Sequence, residues 1–414
     1  MPQDQILSIS ERSERPALPT YSLHLDLIRG LAALVVLAGH LHLIVSGQRE
    51  SATNGVLAPG LTVHPSNSTD LTHSAVVIFF VLSGYLVGGS VLRDLKRNGF
   101  SWSKYALRRL ARLWTVLVPT LLLGVVIDAI SLHVFPMTRV VSMGEFSRGL
   151  QGWPGALQFL RYLGFLQSIN RLKIPHFGTD WALWSLSNEF WYYALFPLLA
   201  ISLIGTSYPR LLRAGLAVLA VFLLWFLGAG ITAYFPLWLC GVVAYLAPAR
   251  IPARFQGLAT VALSIQFCYI VFLMRSHEVG ALRADVLIAL SFTLLLYAIL
   301  HQVGPASASL YSRVAHMVSF PSYSLYAIHQ PMCILLAAFC EVRFPQIFRH
   351  TTLACAIIGA LVLMYAGIFY GLFESNTERI RRFVEAHFIR LRTSERSMKD
   401  FLSGKGHRTS RVEV

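Results

Sequence analysis

The chain has 414 residues, of which 55% are hydrophobic and 13% charged, and its mean hydropathy is +0.58. That is too apolar for a soluble core wrapped in a charged surface, so lipid is the expected solvent. The formal charge of +15 reads as membrane topology and contact with anionic lipid, not as a nucleic-acid surface.

A helix crossing about 30 Å of hydrocarbon needs roughly 17 to 25 mostly apolar residues, because its backbone polar groups must be satisfied within the helix. After a polar tail, 1–22, such windows fall near 27–46, 74–92 and 110–130. A connection of about 131–180, rich in Gly, Pro and aromatic residues, comes next, and loops of that length are usually functional or partly re-entrant. Further windows follow near 181–204, 214–230, 231–247, 255–274, 284–302, 317–339 and 351–373. The expectation is an all-α integral membrane protein of about ten transmembrane helices, forming one domain over 23–375. A basic tail, 376–414, follows, with Ile380, Phe383, Val384 and Phe388 on one face of a helix able to lie along a leaflet.

Basic loops stay cytoplasmic. With both termini inside, 24 Lys and Arg residues fall on the inner side and ten on the outer, so both termini are expected in the cytoplasm. Met1–Thr20 contains no apolar region, which makes the first span an uncleaved anchor instead of a signal peptide. The long connection then lies outside, as a lid over the acceptor side. The five cysteines lack paired metal spacing and read as packing residues, so no metal site is expected.

Ionisable groups at membrane depth are costly unless paired or hydrated, and Arg29, His40, Glu189 and His329 are the candidates. The plainer alternative is an internal polar pair that fixes helix packing. Arg29 and His40 are 11 residues apart, three turns plus roughly 20° of helix, so they share one face and lie about 16 Å apart along the axis. On the expected topology His40, Glu189, His329 and Ser83 all fall at a similar depth. A neutral histidine can take a proton from an attacking hydroxyl, and a carboxylate can orient the imidazole. Arg29, Arg108, Arg109 and Arg112 gather at the inner ends of two spans, where guanidinium groups can hold phosphates. Positive-inside anchoring explains Arg108 and Arg109 equally well, whereas Asp26, three residues before Arg29, can fix its direction.

The segments Leu25-Asp26-Leu27-Ile28-Arg29-Gly30 through His40, Phe79-Phe80-Val81-Leu82-Ser83-Gly84-Tyr85, Arg108-Arg109-Leu110-Ala111-Arg112, Trp184-Ser185-Leu186-Ser187-Asn188-Glu189 and Ser322-Tyr323-Ser324-Leu325-Tyr326-Ala327-Ile328-His329-Gln330-Pro331 occur in that order. Together they resemble the acyltransferase-3 family of membrane acyltransferases, and Arg29 to His40 reproduces that family's Arg-x10-His motif. The resemblance implies a ten-helix domain that takes acyl groups, commonly acetyl, from cytosolic acyl-CoA to hydroxyls of an extracytoplasmic carbohydrate. It also implies a bacterial inner membrane, His40 as the catalytic residue and Arg29 as its essential partner. Glu189 is expected to assist, Arg29, Arg108, Arg109 and Arg112 to hold the donor, and Asp26, Ser83, Trp184, Ser187 and His329 to shape the site. Some members carry a fused SGNH domain, and none is expected here. Two rivals stand beside this reading: a glycan or lipid-linked-sugar transporter, which should show internal repeats, and a non-catalytic sensor on the same fold.

Overall fold

The computed structural model describes residues 20–46, 71–142, 155–248, 251–276, 281–301 and 310–387. Among these residues the architecture is helical throughout; an isolated bridge between Phe177 and Asp180 is the nearest approach to a strand. In chain order the main helices are α1 (Thr20–Ser46), α2 (Leu71–Lys96), α3 (Trp102–Val134), α4 (Ala156–Leu163), α5 (Trp184–Ile204), α6 (Arg210–Leu227) and α7 (Ala229–Leu246). Then come α8 (Ala253–Ser276), α9 (Ala281–Leu300), α10 (Leu310–Ser319), α11 (Ser322–Arg343) and α12 (Thr351–Leu372).

Among the described residues nine helices are long and apolar enough to cross a bilayer, and each coincides with an expected window. The remaining window, 181–204, forms α5, a helix of 21 residues whose first half carries Ser187, Asn188 and Glu189 and is correspondingly less apolar. Peripheral helices bury little of themselves: 6% of the apolar window of α8 and 11% of that of α6. Leu258, Val261, Ile265 and Phe272 on α8, with Val218, Phe222 and Trp225 on α6, stand exposed. An apolar surface of that extent requires lipid around it. The chain is an all-α, multi-pass membrane protein.

Several boundaries differ from the sequence expectation. Residues 1–19 of the polar tail lie outside the described residues, and α1 already begins at Thr20, seven residues before the expected window. The apolar window therefore marks only the part of the helix that lipid demands, while hydrogen bonding continues into polar sequence. The long connection holds a short helix at Arg139–Ser142 and α4; residues 143–154 lie outside the described residues. In the basic tail, residues 377–387 are helical, and Phe388 lies beyond the described residues.

Central packing depends on two glycines. After Ser83 the helix α2 widens into a π turn over Gly84–Gly88, a feature that tends to mark functional positions. There it crosses α7 at backbone contact: a Cβ on Gly84 would stand 1.8 Å from the Trp238 carbonyl oxygen, and one on Gly241 would stand 1.9 Å from the Val81 carbonyl oxygen. Only glycine permits so close a crossing. α1 packs against α2, α10, α11 and α12, which places its Arg29–His40 face against α11.

Candidate active site

The side of the bundle where α1 begins collects opposite charges. Arg29 donates to Asp26 at 2.9 Å and, through Nε, to Ser322 Oγ on α11 at 3.2 Å. The pairing expected from their spacing thus forms, and it leaves the guanidinium directed between α1 and α11. Arg112 on α3 lies near Arg29, its guanidinium 5.8 Å from the Tyr323 ring centre. Glu189, Glu374, Tyr193 and Tyr323 interact electrostatically with Arg112, which stays exposed. Arg109 lies between the Tyr105 and Tyr193 rings, at 5.5 and 5.6 Å, and donates to Ser90 at 3.4 Å. Arg108 is turned outward instead, bonded at 3.3 Å to Asp94 on the surface.

About 16 Å further along the unbroken helix α1, His40 meets His329. His40 Nδ1 lies 2.8 Å from His329 Nε2, and the two rings are nearly parallel with centres 5.1 Å apart. His329 is fully buried, and its Nδ1 faces the carbonyl oxygens of Leu325 at 3.1 Å and Tyr326 at 2.9 Å. His40 is only half-buried.

Glu189 occupies a neighbouring cluster. It accepts hydrogen bonds from Ser83 at 2.9 Å and from the Tyr193 hydroxyl, while buried Trp238 donates to Ser83 at 3.1 Å. The imidazole of His40 is thus bonded by a second imidazole, and the Glu189 carboxylate faces the Arg112 side. Of the remaining expected positions, Ser187 donates to the Phe165 carbonyl at 2.6 Å and fastens the connection to α5. Trp184 stacks on His73, ring centres 5.7 Å apart, and meets Phe80 edge-on.

On the far side, the connection after α4 is fastened over α11. Backbone N–H groups of Trp181 and Ala182 both donate to Gln330 Oε1 at 3.1 Å, and Tyr326 donates to the Ala182 carbonyl at 3.0 Å. Asp128 accepts from the Thr179 backbone at 2.9 Å and from its hydroxyl at 2.6 Å. The intervening turn needs Gly178, with φ of +55° and a would-be Cβ 1.9 Å from Asp128 Oδ2. Asp180 is buried, and neither carboxyl oxygen has a well-formed hydrogen bond among the described residues, because the nearby Ala182 N–H is turned to Gln330. Burial, reinforced by the neighbouring Asp128 carboxyl, holds Asp180 well above the usual carboxylate range.

Residues 23–371 match the family model described as an acyltransferase domain. The chain belongs to the acyltransferase-3 family. An uncharacterized protein of Haemophilus influenzae (strain Rd) is 28% identical over 131 residues, 30% of this chain and 47% of that protein. The chain therefore covers less than half of that curated relative. No solved structure matches.

Several side chains of this site carry no signal in a sequence read span by span. Glu374, just after α12, accepts from the Ser324 backbone at 3.0 Å and from its hydroxyl at 2.5 Å, and it interacts with both Arg29 and Arg112. An acid at the end of a helix without charged residues, just before a basic tail, is the one pattern that singles it out. Tyr193 and Trp238 look like ordinary aromatic span residues until their hydrogen bonds to Glu189 and Ser83 are seen.

Proposed function

We propose that this protein is an acyltransferase that moves an acyl group, acetyl in the simplest case, from cytosolic acyl-CoA to a hydroxyl of an extracytoplasmic carbohydrate, within a bacterial inner membrane. One observation carries the reading most directly: the guanidinium groups of Arg29 and Arg112 lie near each other on the side where α1 begins, and His40 lies about 16 Å further along α1. That separation suits a donor whose phosphates are held at one end and whose thioester lies at the end of an extended arm. Arg29, tethered through one Nη and Nε, retains donor hydrogens for phosphate oxygens, and Arg109 and Arg112 add charge. Arg108, paired on the surface with Asp94, contributes less.

His40 accepts the proton of the acceptor hydroxyl as its oxygen attacks the thioester carbonyl carbon. The carbon–sulfur bond then breaks, the sulfur takes the proton from the imidazolium, and the products are an ester and free CoA thiol. Glu189 acts from a distance, as counter-ion to Arg112 and partner of Ser83, Tyr193 and, through Ser83, Trp238. The aromatic face built by Trp184 and His73 lies on the acceptor side, where the connection after α4 closes over α11.

Purified protein in nanodiscs, supplied with radiolabelled acetyl-CoA and a panel of oligosaccharides, tests the proposal by the appearance of labelled, acetyl-shifted product. His40→Ala is expected to lower turnover by about 10²- to 10⁴-fold with acyl-CoA binding retained. Arg29→Ala is expected to weaken acyl-CoA binding instead. Full transfer by a correctly inserted His40→Ala protein refutes the role of His40.

A further inference from the structure

We infer that His329 is a positioning residue that fixes the tautomer of His40, so that Nε2 of His40, and not Nδ1, is the nitrogen offered to the acceptor hydroxyl. The inference rests on the proposed role of His40 as the base and adds which atom acts and what holds it.

The argument is an accounting of protons. His329 Nδ1 faces two backbone carbonyl oxygens, of Leu325 at 3.1 Å and Tyr326 at 2.9 Å. Carbonyl oxygens only accept, so Nδ1 of His329 must carry a hydrogen. A neutral imidazole has one N–H, which leaves Nε2 of His329 as an acceptor. Across the 2.8 Å contact the hydrogen therefore belongs to Nδ1 of His40. Nε2 of His40 is left with its lone pair free, on a ring that is only half-buried. Were His329 charged, both its nitrogens would donate, His40 would have to accept through Nδ1, and its remaining N–H would lie on Nε2, where no proton could be taken. The neutral pair is the competent one.

The backbone carries the information that selects the tautomer. Leu325 and Tyr326 precede His329 by four and three residues on α11, so the ring folds back over its own preceding turn. Full burial of His329 and the nearly parallel rings, 12° apart, which suit an in-plane N–H···N bond, leave the pair little freedom to exchange roles. When Nε2 of His40 receives the hydroxyl proton, the Nδ1–H bond to His329 becomes charge-assisted and supports the imidazolium until sulfur takes the proton. His329 gains and loses no proton in this sequence.

Two substitutions separate this role from mere space-filling. His329→Leu removes the acceptor, whereas His329→Gln can return a carbonyl oxygen near the lost Nε2. Turnover is expected to fall about 10²-fold or more in His329→Leu and to recover to within about tenfold of wild type in His329→Gln, a span typical of losing and restoring support for a general base. The KM for acetyl-CoA should stay unchanged in both. Should His329→Leu fail to insert, His329→Met, with the length of Gln and no strong acceptor, replaces it. Wild-type turnover in His329→Leu or its Met substitute, alongside an inactive His40→Ala, overturns the inference and leaves the base intact. Equal inactivity of the folded Gln and apolar variants also overturns it, by pointing to shape. Activity in His40→Ala instead removes the reading on which the inference stands.

Discussion

Gly241→Ala puts the crossing of α2 and α7 to a direct test. The added methyl carbon would stand 1.9 Å from the Val81 carbonyl oxygen and 2.5 Å from the Tyr85 backbone nitrogen. Non-bonded heavy atoms are comfortable at roughly 3.5 Å, so the helices must part by on the order of 1.5 Å. Overpacking typically costs about 1 to 3 kcal/mol. Here both obstructing atoms are backbone, so no side-chain rotamer relieves the clash and the upper figure, about 3 kcal/mol, is expected. Gly257→Ala is the matched control, because nothing lies within 4 Å of its would-be Cβ on lipid-facing α8. Alanine there should be neutral or stabilising by up to about 1 kcal/mol. Thermal unfolding in mild detergent, read by exposure of buried Cys333 to a thiol-reactive dye, should place Gly241→Ala several degrees below wild type and Gly257→Ala level with it. Parting the helices also shifts Ser83 from Glu189, so transfer should fall in Gly241→Ala alone. An unchanged midpoint with full transfer in Gly241→Ala would show that the helices do not cross at backbone contact.

Asp180 predicts a pH dependence of stability. A carboxyl whose folded pKa is raised contributes stability that is fully present below its unfolded value and is lost as pH rises through the folded one. Asp180→Asn, which cannot ionise, should therefore unfold above wild type at neutral and alkaline pH, the gap closing towards pH 4; parallel midpoints across that range would refute the burial argument. Ser83→Ala removes a donor from Glu189 and leaves the Trp238 indole N–H buried without its acceptor. A loss of about 1 to 3 kcal/mol is expected in the same unfolding assay, and a wild-type midpoint would mean the network contributes nothing.

Among the described residues, apolar length located the nine helices able to span a bilayer, and α5 beside them, because lipid leaves no other way to satisfy a backbone. Helix ends were less legible, since Thr20 to Asp26 extend α1 through polar sequence that needs no bilayer. The site was readable only as far as local spacing reaches. Asp26 and Arg29, three residues apart, pair as their helix geometry requires. The contact between His40 and His329 joins positions 289 residues apart, and shared depth could suggest proximity without choosing a partner for either imidazole. The π turn at Gly84–Gly88 also gave no signal, because glycine in a span is equally compatible with close packing in a regular helix.

The helix that falls short as an apolar span explains how the bundle keeps polar chemistry in lipid. On α5, Ser187 donates to the Phe165 carbonyl, Asn188 to the Gly230 carbonyl, Tyr192 to the Ile231 carbonyl and Tyr193 to Glu189. Each partner belongs to α5 itself, to the connection after α4 or to the start of α7, so the polar half of α5 is solvated by protein. That arrangement requires other helices to face the hydrocarbon, and α6 and α8 do so with apolar surfaces of which little is buried. The same hydrogen bonds that make α5 tolerable in the membrane also hold Glu189 beside Arg112 and fasten the connection that closes over Gln330. Low hydropathy in one helix is thus the physical consequence of placing it between the two sides of the site, and a substitution that made α5 more lipid-like would act on both sides at once.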